Sequence, residues 1–147
     1  MKTAHILLVE DNEGDIVLTL EAFEDSKITC DISVVKDGQE ALDFLFQKGK
    51  HWDVARPDLI LLDVYLPELD GLEVLKAIKE DEELKFIPVI MLTTTSDPAI
   101  VESAYECYCN SFIEKPIDMD AFIKKIQQIS NFWLQVNVTT EKNYHHE

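Results

Sequence analysis

Short apolar runs punctuate the chain and predict five strands. Three runs, at residues 6–9, 59–62 and 89–92, are continuously apolar, as expected for parallel strands covered by helices on both faces. A fourth run, residues 31–35, partly alternates between apolar and polar positions, which favours a strand at the edge of a sheet. A shorter fifth run is centred on Phe112-Ile113.

Segments with apolar residues at helical spacing alternate with these runs. They cover residues 14–25, 38–48, 71–78, 100–105 and 122–129. Two start signals agree with this pattern. Asp37 stands three residues before Glu40, as in a capping box, and Asp97-Pro98 supplies a cap followed by proline at the first helical position. Strands that alternate with helices predict an open α/β sheet with right-handed crossovers.

Composition agrees with one globular domain that buries a full core. The 147 residues are 46% hydrophobic and 29% charged, and 13 Lys and Arg against 29 Asp and Glu give a net charge of -16. Because nucleic-acid binding relies on cations that neutralise phosphates, we expect no nucleic-acid partner.

Two further features predict a cytoplasmic protein with no membrane contact. The three cysteines, at positions 30, 107 and 109, match no zinc spacing and predict reduced thiols. No apolar run approaches the roughly 20 residues that span a bilayer, and the first run is too short for a signal peptide.

Polar residues follow four of the predicted strands directly. These are Glu10 and Asp11 after the first run, Asp63 after residues 59–62, Thr93 after residues 89–92, and Glu114 and Lys115, which precede Pro116, after the last run. Open α/β sheets bind ligands beyond the carboxyl ends of their strands, so we expect these groups to converge there. A carboxylate that ends a buried strand is unfavourable unless another group compensates it.

The three acids predict a divalent cation site. Glu10, Asp11 and Asp63 repel one another as a bare cluster, and Mg²⁺ is usually held by one or two carboxylates plus a substrate phosphate. Lys115 can neutralise Asp63 or a phosphoryl oxygen, and Thr93 can donate a hydrogen bond to such an oxygen. The alternative is that the first two acids only cap the next helix and that the threonine only ends a strand.

Taken together, these residues resemble the signature of response-regulator receiver domains in two-component signalling. The match consists of Glu10-Asp11, the pattern Asp63-x-x-x-Pro67-x-x-Asp70-Gly71, Thr93 and Lys115-Pro116, in the family's order. The resemblance implies a flavodoxin-like receiver fold with a five-stranded parallel sheet of order 2-1-3-4-5 and five helices. It also implies a phosphorelay switch that receives a phosphoryl group from a histidine kinase or phosphotransfer protein and then changes its contacts with other proteins.

Carried over by position, the resemblance implies that Asp63 is the phosphoacceptor. Asp11 and Asp63 would bind Mg²⁺, or Mn²⁺ in its place, together with the backbone carbonyl of Tyr65, and Glu10 would act through a water. The family often has aspartate where this chain has Glu10, which leaves the geometry of that water open.

The remaining roles concern the phosphoryl group and the switch. The resemblance implies that Lys115 contacts the phosphoryl group, that Thr93 is the switch hydroxyl and that Phe112 is the aromatic switch residue. The resemblance also implies that Tyr65 and Thr95 occupy positions that tune dephosphorylation in this family. The chain is expected to assist only its own phosphorylation and dephosphorylation, and to be no enzyme beyond that.

Three alternatives share parts of this pattern. A flavodoxin-like cofactor binder needs small and hydroxyl residues after its first strand, whereas residues 10–13 read Glu-Asp-Asn-Glu. A phosphatase of the haloacid dehalogenase type usually has a second acid two positions after its aspartate, where this chain has Tyr65. A pseudo-receiver would bind partners without phosphorylation, although every key side chain is present here.

We predict a receiver domain at residues 3–130 and a C-terminal extension at residues 131–147, with a disordered end. The extension is too short for an effector domain and resembles the tail of small receivers associated with bacterial phytochromes. An unidentified downstream protein is therefore expected to receive the signal. Trp133 either closes the protein's own core or joins Phe132 and Leu134 in a homodimer contact.

Overall fold

A five-stranded parallel sheet forms the centre of the structure, a computed structural model that describes residues 3–26, 28–95 and 97–136. The strands are β1 (Ala4–Val9), β2 (Cys30–Val35), β3 (Leu59–Leu62), β4 (Val89–Thr93) and β5 (Ser111–Glu114). Their spatial order is β2-β1-β3-β4-β5, and every neighbouring pair is parallel. The predicted order is confirmed, and β2 lies at an edge, as its partial alternation predicts.

Five helices connect and follow the strands. They are α1 (Glu13–Glu24), α2 (Gly38–Leu45), α3 (Gly71–Glu80), α4 (Pro98–Glu106) and α5 (Met119–Asn131), with short helical turns at Gly49–His51, Leu84–Phe86 and Phe132–Val136. The second helix ends at Leu45 and not at Lys48, because Gln47 adopts a left-handed backbone conformation (φ 58°) that a right-handed helix does not accommodate. Within the described ranges, no helix is long and apolar enough to cross a bilayer.

Side-chain caps fix the points where the helices begin. The Asp37 carboxylate accepts a hydrogen bond from the Glu40 N–H at 2.7 Å, and the cap predicted at Asp97-Pro98 is also present. A reciprocal capping box forms at the start of α3, where Asp70 and Glu73 each accept from the other's backbone N–H. These caps hold the loops that lead from strand ends into helices, and the site residues lie on those loops.

Two apolar cores lie on the two faces of the sheet, because successive strand residues point to opposite faces. Apolar residues of α2, α3 and α4 build one core, and those of α1 and α5 build the other. The central strand β3 contributes to both, and none of its residues is more than 1% exposed. The continuous apolar pattern of residues 59–62 therefore reports burial on both faces.

The last described turn continues the second core. Trp133 is half-buried and packs against the core that α1 and α5 form. The neighbouring Phe132 ring is 46% exposed and meets the Trp133 ring edge to face, with centroids 5.3 Å apart. Trp133 thus lies against the protein's own core. The boundary at residue 130 stays a prediction. The end of the extension at residues 131–147, which is expected to be disordered, lies outside the described residues.

Lys79 joins α3 to the starts of β4 and β5. Its Nζ donates hydrogen bonds to the carbonyl oxygens of Lys85 and Ile87, both at 3.1 Å, and to Asn110 Oδ1 at 3.0 Å. Asn110 Oδ1 also accepts from the Val89 N–H at 2.8 Å. Burial lowers the pKa of Lys79 to about 8, while the three oxygen acceptors match the three N–H donors of its charged form.

Replacing Lys79 with Met is expected to lower the free energy of unfolding by about 1–3 kcal/mol, because two carbonyl oxygens and one amide oxygen lose their shared donor. Urea unfolding at pH 7, followed by circular dichroism, measures the change. The matched control is Lys76→Met on the exposed face of the same helix, which should change stability by less than about 0.5 kcal/mol. Equal losses in the two variants would contradict the role given to Lys79.

Candidate functional site

Four strand ends bring the predicted site residues to one edge of the sheet. Glu10 follows β1, Asp63 follows β3, Thr93 ends β4 and Lys115 follows β5. The backbone continues to pair at this edge, since the Asp63 N–H donates to the Val9 carbonyl at 3.1 Å and the Lys115 N–H donates to the Thr93 carbonyl at 2.7 Å. The convergence expected from the sequence is therefore present in the fold.

The Lys115 ammonium lies at the centre of the site. It is bonded to three carboxylates, at 2.5 Å from Glu10 Oε1, 2.8 Å from Asp15 Oδ2 and 3.2 Å from Asp63 Oδ2. Lys115 is only 7% exposed, and an ammonium has three N–H donors, so these contacts use all of them. Its expected place beside Asp63 is confirmed.

Sequence reasoning missed Asp15. This residue lies in the first turn of α1, and its carboxylate is 24% exposed. The available signal was an acidic residue at the start of the helix predicted over residues 14–25, shortly after the strand-end acids. That signal says nothing about Lys115, which is 100 positions away in the sequence.

Burial and close charges shift the pKa values of two cluster members. The pKa of Glu10 is raised to about 7, because burial, and to a smaller extent the charge of Asp63, outweigh the opposing hydrogen bond from Lys115. Burial alone lowers the pKa of Lys115, but its hydrogen bonds with Asp15 and Glu10 and the charge of Asp63 outweigh burial and raise that pKa above its ordinary value. Lys115 is the fixed cation of a group that has more acids than bases.

Three of the acids fit a divalent cation. One carboxylate oxygen from each of Glu10, Asp11 and Asp63 lies within 4.8 Å of the other two. Glu10 and Asp63 are buried, and Asp11 is exposed at the rim. The donors are all carboxylate oxygens, the type that Mg²⁺ and Mn²⁺ prefer, and the one charge of Lys115 cannot offset all of them. The chemistry of the donor set therefore fits the metal predicted from the sequence.

The backbone around Asp63 explains the Asp70-Gly71 part of the motif. A Cβ atom on Gly71 would lie 2.0 Å from the Asp63 carbonyl oxygen, so only glycine lets the start of α3 pass this close to the strand end. The Gly71 N–H donates to the Val64 carbonyl at 2.8 Å, and the Tyr65 N–H approaches Asp63 Oδ1 at 3.3 Å. These contacts hold the loop that carries the Asp63 carboxylate.

The other predicted residues surround this cluster without joining it. Thr93 is fully buried, and its hydroxyl has no hydrogen-bond partner within the described part of the chain. Phe112, on β5, is half-buried and packs against the core formed by α2, α3 and α4. Tyr65 is 52% exposed, two residues after Asp63. An unsatisfied buried hydroxyl is unfavourable, so Thr93 can gain from a new acceptor at the site.

Comparison with known proteins gives a consistent result. The sequence profile of the family described as "Response regulator receiver domain" matches residues 6–127. Response regulator Rcp1 of Synechocystis sp. (strain ATCC 27184 / PCC 6803 / Kazusa) is 41% identical over 130 residues, which are 88% of each chain. The crystal structure of the phosphorylated cyanobacterial phytochrome response regulator RcpA has a TM-score of 0.93 and 38% identity, covering 95% of this chain and 100% of that one.

Two similar structures contain divalent cations. The Mn²⁺-bound form of response regulator Rcp1 has a TM-score of 0.89 and 39% identity, covering 93% of this chain and 99% of that one. The receiver domain of sensor histidine kinase PA1611 from Pseudomonas aeruginosa PAO1 has a magnesium ion coordinated in its active site cleft, with a TM-score of 0.67, 25% identity and coverage of 86% and 97%. Homologous receivers thus bind Mn²⁺ and Mg²⁺, and the acidic cluster of this chain suits the same ions.

Proposed function

This chain belongs to the response regulator receiver domain family of two-component signalling, and on that basis we propose that it is a switch controlled by phosphorylation of Asp63. One observation carries the proposal. The Asp63 carboxylate lies at the end of a buried central strand, bonded to Lys115 and within 4.8 Å of carboxylate oxygens from Glu10 and Asp11. A phosphoacceptor needs an anionic oxygen held beside groups that neutralise phosphoryl charge.

The phosphoryl donor is a histidine kinase or a phosphotransfer protein that presents a phosphohistidine. An Asp63 oxygen attacks phosphorus in line, a P–O bond forms, and the P–N bond to the histidine breaks as the imidazole leaves. Little covalent chemistry is required of the protein, so positioning and charge neutralisation account for most of the rate. The chain acts on its own phosphorylation and is not an enzyme for another substrate.

The acids would hold the cation that supports the transfer. Asp11 and Asp63, with the backbone carbonyl of Tyr65, would be its direct ligands, and Glu10 would act through a water. When bound, Mg²⁺ or Mn²⁺ would supply positive charge beside the phosphoryl oxygens. Lys115 already contacts Asp63, so its ammonium is placed to bind a phosphoryl oxygen on that residue.

Thr93 and Phe112 read the modification. The buried Thr93 hydroxyl has no partner within the described ranges, and a phosphoryl oxygen on Asp63 is an acceptor that it can move to reach. That movement changes the space beside the Phe112 ring, which turns inward to fill it. The phosphoryl group therefore favours one of two arrangements through differential contacts, and the surface near α4 reports which one is populated.

A phosphorylation-independent interaction module is the second candidate. The observation in its favour is that Lys115 already contacts Glu10, Asp15 and Asp63 without any ligand. Such a module would keep the fold and the cluster but would never carry phosphate. Labelling with acetyl phosphate separates the two functions.

The output is a change in protein contacts. An unidentified downstream protein and a second copy of this chain are the proposed partners, and the 46% exposed Phe132 is the proposed dimer contact. The cytoplasmic location stays a prediction.

Incubation with Mg²⁺ and acetyl phosphate is expected to add one phosphoryl group to the chain, seen as an increase in intact mass. Asp63→Asn, which keeps size and polarity but removes the nucleophilic carboxylate, is expected to show no adduct. The parent without Mg²⁺ should label much more slowly. An unlabelled parent, or equal labelling of the Asp63→Asn variant, would overturn the proposed function and favour the second candidate.

Replacing Tyr65 with Asn is expected to accelerate loss of the phosphoryl group, because the half-exposed phenol shields phosphorus from in-line attack by water. The decay of the phosphorylated mass after removal of acetyl phosphate gives the rate. Tyr108→Asn is the matched control, since this tyrosine is exposed in the loop before β5, at the opposite end of that strand, and has a positive φ that Asn tolerates. An unchanged or slower decay in the Tyr65 variant would contradict the shielding role.

The parent is expected to be a dimer in solution, and Phe132→Ala is expected to shift it towards monomer, as measured by light scattering over a concentration series. Trp133→Ala is expected to lower the free energy of unfolding of the chain in addition to any effect on its mass in solution, because Trp133 packs against the core of its own chain. A monomeric parent, or a Phe132→Ala variant with unchanged mass, would exclude this contact.

A further inference from the structure

Asp15 is the one carboxylate on Lys115 that does not belong to the candidate cation set. Of the three acids bonded to the ammonium, Glu10 and Asp63 also lie within the group of three acids that fits a divalent cation. Asp15 binds Lys115 at 2.8 Å but is not part of that group. Lys115 therefore contacts two acids of the candidate cation site and one acid, Asp15, outside it.

The backbone of Asp15 is fixed on both sides. Its N–H donates to Asn12 Oδ1, the cap of α1, at 2.9 Å, and its carbonyl accepts from Thr19 Oγ1 at 2.7 Å. The carboxylate thus projects from a rigid helical turn towards the end of β5. A fixed anchor of this kind can hold a flexible lysine ammonium in one place.

We propose that Asp15 is a positioning residue that holds the Lys115 ammonium towards α1. Glu10 and Asp63 can then exchange their contacts with Lys115 for contacts with a divalent cation, and Lys115 keeps Asp15 as a partner.

The charge balance explains why such an anchor is needed. A buried ammonium that loses its partners is strongly unfavourable, and a cation arriving at Glu10 and Asp63 both competes for those partners and repels Lys115. With Asp15 in place, one charged hydrogen bond to Lys115 survives. Without it, Lys115 depends wholly on the two acids that the cation also requires, so cation binding must displace a more tightly held lysine.

This inference rests on the proposed cation site, and Mn²⁺ alone is a sufficient probe of it. Titration of the 147-residue chain with Mn²⁺, with free Mn²⁺ followed by electron paramagnetic resonance, gives the dissociation constant directly. Asp15→Asn removes the charge but keeps the size of the side chain. It is expected to raise the Kd for Mn²⁺ by about threefold to tenfold.

Glu13→Gln is the matched control. Glu13 lies in the same first turn of α1 and loses the same charge, but it is exposed and pairs with Lys36. Because exposed charges are screened by salt, this variant is expected to change the Kd by less than about twofold at 0.15 M ionic strength. Urea unfolding of both variants shows whether each is folded during the titration.

A double-mutant cycle with Lys115→Met separates positioning from simple charge loss. If Asp15 acts through Lys115, the change caused by Asp15→Asn should largely disappear when Lys115 is already Met. An equal change in the two backgrounds, or a change no larger than that of Glu13→Gln, would overturn the inference while leaving the cation site intact. A parent that binds no Mn²⁺ would overturn the proposed cation site and the inference together. Labelling by acetyl phosphate, measured separately, still reports on the phosphoacceptor role of Asp63.

Discussion

The buried contact between the Lys115 ammonium and three carboxylates is the interaction on which the site depends. Lys115 is placed by β5, and its partners Glu10, Asp15 and Asp63 come from the end of β1, the first turn of α1 and the end of β3. A buried charge without partners is strongly unfavourable. If any one of these segments moved, a buried charge on another would therefore lose its partner. The cluster thus ties this edge of the sheet together through residues 52 to 105 positions apart.

The charges and hydrogen bonds of this cluster are not fully matched, which suits a switch. More acids than bases meet at one edge, and the pKa of Glu10 is raised by its burial and by Asp63. The Thr93 hydroxyl is buried without a partner in the described part of the chain. A structure selected for stability alone would satisfy these groups internally, whereas a cation and a phosphoryl group would satisfy them only in particular states. The role that we infer for Asp15 belongs to the same logic, because it gives Lys115 a partner that a cation does not compete for.

The topology of the sheet turns a linear pattern into this geometry. In the order β2-β1-β3-β4-β5 the first strand lies beside the third, so the acids after β1 meet the acid after β3. Gly71 then allows α3 to begin against the Asp63 backbone, where any side chain would collide with a carbonyl oxygen. The site geometry requires both the close approach of α3 to the Asp63 backbone and the parallel pairing of β1 with β3. Neither follows from the strand pattern alone.

The sequence by itself determined the elements and most of the candidate site. Continuously apolar runs identify strands buried on both faces, and polar residues at their carboxyl ends identify Glu10, Asp11, Asp63 and Lys115, because burial and side-chain period are local properties. The strand order came from the family resemblance, since periodicity does not say which strands are neighbours. Only the tertiary structure decided the partners of Lys115, including Asp15, and the packing of Trp133 against the core of its own chain. Both depend on contacts between segments far apart in the chain, about which a local pattern carries no information.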